Sequence, residues 1–346
     1  MFEDLEDEAS TRDELDKAKS RGDRLARQLY EVKHKHADYL ATVWEAVTEA
    51  VNAQTIKPVK PPTLRGRKGD GPNEVAVAML SDLQTGKITP DYNTIVCRDR
   101  VMKYADKIIE ITRVQRADHP VNEIVVAMLG DMVEGVDIFP GQQWLIDSTL
   151  YDQIFNTTPV ILVDFLRKLL SYFDSVRVEA VQGNHGRIGR KGTFGPEDNS
   201  DRMVYRVAKL MLRDEPRITF NMSDPKGERA WYQIMHIGEY KAMLIHGDQI
   251  KGSMGYPWYG IGKKVHSWGS GGLGPDSDFT DLFLGHWHQL ARIPLNHRTV
   301  WQNGSTESYN TFAQETLAAQ SEPMQWLLFV RPDRGVVTAE YGVRLR

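Results

Sequence analysis

Val121 to Glu134 reads Val-Asn-Glu-Ile-Val-Val-Ala-Met-Leu-Gly-Asp-Met-Val-Glu. Ile124 to Leu129 is a short apolar run rich in β-branched residues, the signature of a buried strand. Gly130 permits a tight turn and leaves Asp131 at the strand's carboxyl end, the edge where open α/β sheets bind ligands. The pattern recurs along the chain. Val75–Leu80 runs into Asp82-Leu83-Gln84, and Val176–Gln182 into Gly183-Asn184-His185. Ala242–Ile245 runs into His246-Gly247-Asp248, and Phe279–Leu284 into Gly285-His286-Trp287-His288. Five apolar strands each deliver Asp, Asn or His at the same end, which points to a metal site assembled from five loops.

Between these strands the sequence alternates strand and helix, with helices expected near 95–116, 144–173 and 201–213; such alternation argues parallel βαβ units. The second half changes character. Strands are expected at 231–237, 240–245, 299–302, 326–330 and 336–343, with hairpin turns at Gly238-Glu239 and Asp333-Arg334-Gly335. The expectation is a mixed-sheet second half packed on the first.

Before Glu74 lie two other segments. Residues 1–53 read as a long helix, breakable at Ser20-Arg21-Gly22. Leu25, Leu29, Val32, His36, Tyr39, Val43 and Ala46 alternate spacings of four and three, a heptad-like stripe. It suits either packing on the chain's own catalytic domain or a coiled coil that makes a homodimer. Residues 54–73 read as a linker, stiff at Lys57-Pro58-Val59-Lys60-Pro61-Pro62 and basic at Arg65, Arg67 and Lys68. A solvated tether is the first reading and a phosphate-backbone contact the second. The catalytic domain is expected over 74–346.

Composition narrows the classes. A hydrophobic share of 41% over 346 residues supports a sizeable core, and a net charge of -4 argues against a polycation. Cys97 is the sole cysteine, so neither an internal disulfide nor a Cys-based zinc cluster can form. No apolar run approaches a membrane span, and the acidic stretch Met1–Glu8 is unlike a signal peptide. A cytoplasmic protein with no membrane association is expected.

Carboxylate, imidazole and amide donors without thiolates suit a catalytic Mn, Fe or Zn site rather than a structural zinc site. His286 and His288, at i and i+2, would point the same way in an extended segment. Each residue alone has a plainer account, Asp131 as a helix cap and Asn184 as a left-handed turn residue. Their joint placement at strand ends does not.

These five motifs, in this order, resemble those of the calcineurin-like binuclear metallophosphoesterases, over roughly residues 74 to 310. The resemblance implies an α/β fold, a two-sheet α/β/β/α sandwich, preceded here by the N-terminal helix. It implies two divalent metal ions, with Mn the expected species and Fe, Zn and Mg the alternatives. Asp131 would bridge them, Asp82 and His288 would bind the first, and Asn184, His246 and His286 the second. His185 would be catalytic, and metal-held hydroxide would attack phosphorus. The chain departs from the family in three places. Gln84 stands where histidine is usual and is expected as a weaker ligand of the first metal. Gly186 stands where an acid is usual. Glu134 stands where Asp is common, and with Asp248 and Asn303 it is expected to support the ligands from behind.

Basic and aromatic stretches beside the motifs point towards nucleic acid. Arg187, Arg190 and Lys191 follow His185 and could hold a phosphate. Lys251–Gly272 carries Tyr256, Trp258, Tyr259, Lys263, Lys264 and Trp268, suited to stacking on bases, or else a glycine-hinged loop with its rings turned inward. Phe139–Trp144 reads as a cleft wall or a loop with its rings packed inward. The expected activity is phosphodiester hydrolysis by a nuclease acting on DNA. The resemblance extends to DNA-repair exonucleases and bacteriophage-encoded phosphoesterases, although the repair enzymes add a DNA-capping domain for which the residues to Arg346 leave no room. Two alternatives stand beside it: a phosphoesterase for a small nucleotide-like substrate, and a scaffold that has lost catalysis.

Overall fold

The computed structural model describes residues 2–62, 71–189, 192, 194–223, 230–252, 256–309, 320 and 322–346; the side chains of 2–16, 18 and 36 lie outside the description. The chain forms two compact units, Met1–Gln54 and Thr55–Arg346.

The first unit is one helix, α1 (Phe2–Asn52). It runs unbroken through Ser20-Arg21-Gly22, the point at which the sequence allows a break. A single interior glycine costs only about 1 kcal/mol, which propagation along a long flanking helix absorbs. Leu25, Leu29, Val32 and Tyr39 of the heptad-like stripe are 48–62% exposed.

In the second unit the start of the linker is held down rather than free. The Val59 N–H donates to the Glu215 carboxylate at 2.8 Å, Arg217 donates to the Val59 carbonyl at 2.7 Å, and Arg167 to the Lys57 carbonyl at 2.8 Å. Arg65, Arg67 and Lys68 lie outside the described residues.

The first sheet takes β1 (Glu74–Leu80), β2 (Val121–Met128), β3 (Ser175–Ala180) and β4 (Ile218–Met222) in parallel. The helices α2 (Thr94–Gln115), α3 (Thr158–Leu170) and α4 (Ser200–Met211) connect them. A short 3₁₀ turn at Gln142–Trp144 and a π-turn at Asp152–Thr157 replace the first part of the long helix expected from 144. The second sheet is built from β5 (Tyr232–Ile237), β6 (Tyr240–Ile245), β7 (Asp281–Leu284), β8 (Ala291–Leu295) and β9 (Arg298–Gln302), in the order β5-β6-β7-β9-β8. The C-terminal hairpin, β10 (Met324–Arg331) and β11 (Val336–Arg344), leaves that half and returns to the first sheet. β10 pairs antiparallel with β1, giving β11-β10-β1-β2-β3-β4.

Three apolar layers follow from strand alternation. Ala76, Ala78, Ile124, Val126 and Val178 pack under α2, α3 and α4. Val75, Val77, Met79, Val125 and Leu328 turn the other way and meet Met235, Leu244, Phe283 and Trp301 of the second sheet. Met243, Ile245, Leu282 and Val300 back onto Ile261 and Val265 of a fifth helix, α5 (Trp258–Ser267). The second unit is therefore a two-sheet α/β/β/α sandwich, metallophosphoesterase-like in its layers. Among the described residues no helix is long and apolar enough to cross a membrane.

Candidate metal centre

The two sheets bring the carboxyl ends of β1, β2, β3, β6 and β7 to one rim. Close approach there requires glycine. A Cβ on Gly183 would stand 2.1 Å from Asp131 Oδ1, and one on Gly285 2.5 Å from Asp82 Oδ2. Asp82, Gln84, Asp131, His286 and His288 all hold positive φ, between 45° and 69°. Left-handed backbone costs a non-glycine residue about 1–3 kcal/mol and persists where the surroundings over-determine it. His286 and His288 are thus not in an extended segment; the His286 ring meets His246 at 3.2 Å, and the His288 ring meets Asp82 at 3.3 Å and Glu307 at 2.6 Å.

Around His246 four donors converge. Its Nδ1–H donates to the Leu129 carbonyl at 2.7 Å, so Nε2 faces inward. Nε2 stands 3.0 Å from Asp131 Oδ2, 3.0 Å from Asn184 Oδ1 and 3.2 Å from His286 Nδ1. Among the described residues, Asp131, His246 and His286 bring three His or acidic ligand atoms within 4.8 Å of one another. One carboxylate, one amide oxygen and two imidazole nitrogens are donor types that divalent metals take. Burial opposes charge on His246, yet Asp131 outweighs it and holds the ring's pKa up to about 10. Burial and the neighbouring His246 push His286 down to about 4. Asp131 is drawn far below the usual carboxylate range by His246 and His185, against its burial. This nitrogen and oxygen set fits a divalent metal ion.

The other half of the rim is built differently. His288 Nε2 lies 3.3 Å from Asp82 Oδ1, and its Nδ1 is 2.6 Å from Glu307 Oε1. Both Asp82 oxygens accept the His286 N–H, at 3.0 and 3.1 Å. Gln84 is buried, its Oε1 accepting from Lys87 Nζ at 3.0 Å and its Nε2 lying 3.3 Å from His185 Nε2.

His185 sits between the halves. Its N–H donates to Asp131 Oδ1 at 2.7 Å. Its Nδ1 donates to the Glu134 carbonyl at 2.8 Å and lies 3.2 Å from Glu134 Oε2, which leaves Nε2 as the working atom. Burial works against a charged ring, but Asp131 and Glu134 hold it up to about 9. A proton on Nε2 faces the Gln84 amide nitrogen, itself a donor, so the ring can give a hydrogen bond to an acceptor that enters the site.

Of the supporting residues, Glu134 is thus in contact with His185. Asn303 sits behind Asp82, donating to Ser81 Oγ at 3.0 Å and accepting from Trp326 N–H at 2.9 Å. Asp248 pairs with Arg187 at 2.9 Å. Arg187, Phe194, Trp231 and Asp248 line a cavity of about 310 Å³ beside Gly183. Arg190 and Lys191 lie outside the described residues. Lys251–Gly272 is not a plain loop, since α5 occupies its middle. Tyr256 and Trp258 stack with ring centroids 5.9 Å apart and are both exposed, as is Tyr259. Lys263 is exposed on α5, and Lys264 Nζ lies over the Trp268 ring at 5.6 Å. Trp144 is 83% exposed, so the Phe139–Trp144 rings do not all pack inward.

Sequence reasoning passed over Lys87, Asp201 and Glu307. Asp201 accepts N–H bonds from Asp131 at 2.9 Å, Met132 at 2.9 Å and Gly183 at 2.8 Å, clamping two motif loops together. A helix first-turn aspartate ordinarily reads as a response to the helix dipole. The one signal was its place in Asn199-Ser200-Asp201, a cap cluster soon after Asn184.

No family model and no curated protein matches the chain. Solved structures do. Vps29 complexed with zinc from Entamoeba histolytica is 13% identical with a TM-score of 0.33, covering 78% of this chain and 99% of that one. An archaeal phosphodiesterase is 10% identical at a TM-score of 0.35, with coverages of 78% and 99%. A predicted phosphoesterase from Streptococcus pneumoniae is 12% identical at 0.32, with 78% and 98%. At such identities and TM-scores these likenesses carry no functional weight; the layered fold and the five ordered motifs on its rim are what make the chain metallophosphoesterase-like.

Proposed function

We propose that the protein is a metal-dependent phosphoesterase that hydrolyses phosphodiester bonds, with DNA as its substrate and Mn as the working ion. The observation that carries this is the convergence of Asp131, Asn184, His246 and His286 beside a half-buried His185 whose ring Glu134 holds in place. A divalent ion in that cradle supplies Lewis acidity towards a phosphoryl oxygen and makes water acidic enough to react at neutral pH. The chain's own residues do the rest. Asp131 orients the His185 loop through its N–H, Glu134 fixes the ring, and His185 Nε2 gives its proton to the leaving oxygen. Exposed Trp144, Tyr256, Trp258 and Tyr259 offer stacking faces for the bases of a single strand. The cavity lined by Arg187, Phe194 and Trp231 favours the second reading, a small nucleotide-like substrate. The exposed stripe on α1 supports a homodimer through residues 1–53, and the site of action is the cytoplasm.

The test is turnover of bis-p-nitrophenyl phosphate against p-nitrophenyl phosphate, with labelled single- and double-stranded DNA, under Mn, Mg and Zn and with Asp131→Asn as the blank. Mn-dependent cleavage of the diester and of DNA, absent in the variant, is expected. Monoester-only turnover would move the substrate to small phosphorylated molecules. No turnover with any metal would leave the scaffold reading.

A further inference from the structure

The two halves of the rim are unequal. On the Asp131–His246 side the inward-facing ligand atoms belong to a carboxylate, an amide and two imidazoles. On the Asp82–His288 side a lysine is built into the donor set. Lys87 is 8% exposed, and its ammonium is ion-paired with Glu307 and hydrogen-bonded to Gln84 Oε1 at 3.0 Å. Glu307, 1% exposed, also holds His288 Nδ1 at 2.6 Å, so Lys87 is anchored from behind by the residue that orients a would-be ligand. An ammonium can only donate, so Gln84 must turn its oxygen to Lys87 and its NH₂ to His185. The NH₂ group has no electron pair to offer a metal. The oxygen has a second one, but an ion taking it would face a fixed positive charge across a single atom, in surroundings too dry to screen it. A separate observation agrees. Among the described residues, only the Asp131, His246 and His286 atoms gather three His, Cys or acidic ligands within 4.8 Å; Asp82 and His288 complete no such group.

We infer that Lys87 removes Gln84 from the metal donor set, so that the protein holds one divalent ion tightly, at Asp131, Asn184, His246 and His286, with the Lys87 ammonium as the permanent cation of the other half. Gln84 then lies between the two, its oxygen bonded to Lys87 at 3.0 Å and its amide nitrogen 3.3 Å from His185 Nε2. This rests on the metal-dependent reading above and departs from the binuclear expectation. It also explains why a glutamine is compatible with the site at all, since the oxygen a second ion would need is already satisfied.

The test is metal stoichiometry on the full chain, stripped with chelator and titrated with Mn(II) by calorimetry, with bound metal counted by elemental analysis and Mn(II) electron paramagnetic resonance. Wild type is expected to bind one ion, any second binding roughly 10- to 100-fold more weakly. The Gln84→His/Lys87→Met double variant is expected to bind two ions with comparable affinity and to show spin-coupled Mn pairs. Lys87→Arg keeps the cation and is expected to stay at one ion. Two comparable ions in wild type would overturn the inference whatever the variants do. A folded double variant that still binds one ion would also overturn it. No ion bound by wild type would instead remove the metal-dependent reading itself.

Discussion

His185 shows how much of the site's chemistry is decided by two neighbours. Glu134 takes its Nδ1, and Asp131 takes its backbone N–H, so Nε2 is left towards the site, 3.3 Å from the Gln84 amide nitrogen. His185→Ala should lower kcat by about 10²–10⁴-fold, the usual worth of a positioned proton donor. Bound metal should stay near the wild-type level, because the ring is not among the converging ligands. Steady-state turnover alongside metal analysis checks both halves; unchanged kcat would take His185 out of the mechanism. The identity of this histidine was legible from Gly183-Asn184-His185 at a strand end. Its charge was not, because Glu134 and Asp131 come from a different loop.

At the scale of elements, α4 does more than cover the sheet. Its first turn places Asp201 under the loops after β2 and β3, where one carboxylate accepts N–H bonds from both. Burial and the adjacent Asp131 push its pKa up to about 6, while the backbone donors pull the other way. Asp201→Ala would strand several buried N–H groups, and each such loss costs about 1–3 kcal/mol. A drop of roughly 3 kcal/mol or more in urea unfolding is expected, with weaker metal binding, and Asp201→Asn should recover part of both. A drop under about 0.5 kcal/mol, the range of ordinary surface substitutions, would show that the loops hold without it. The α5 segment teaches a related lesson. Gly260 and Gly262 disfavour a helix by about 1 kcal/mol each, which is why the stretch reads as a loop. Burial of Ile261 and Val265 against the second sheet outweighs that local preference.

At the scale of the whole molecule, the stripe on α1 bears on pairing with a second copy of the chain. Leu25, Leu29, Val32 and Tyr39 stand exposed at coiled-coil spacing over about two heptads, and Val43 and Ala46 carry the sequence stripe to about three, the shortest run that argues such pairing. The full chain is expected to sediment as a dimer, and Leu25→Glu/Leu29→Glu to sediment as a monomer. A monomeric wild type at micromolar concentration would rule the pairing out.

The sequence by itself determined the parts that are local. The apolar runs, each closed by Gly-Asp, Asn-His, His-Gly-Asp or Gly-His-Trp-His, specify strands with ligands at their carboxyl ends, because strand propensity and the residue after a strand are properties of neighbours in the chain. The βα alternation and a mixed-sheet second half followed from them, and the two-sheet sandwich was implied by the family resemblance that the motifs carry. Only the tertiary structure decided that the β10–β11 hairpin returns to the first sheet, with β10 beside β1, since an antiparallel hairpin carries no mark of which sheet edge it will join. It also decided which way the Gln84 amide faces. An amide has a donor end and an acceptor end, and the choice between them falls to Lys87 and, through it, to Glu307, which lies more than two hundred residues further along the chain.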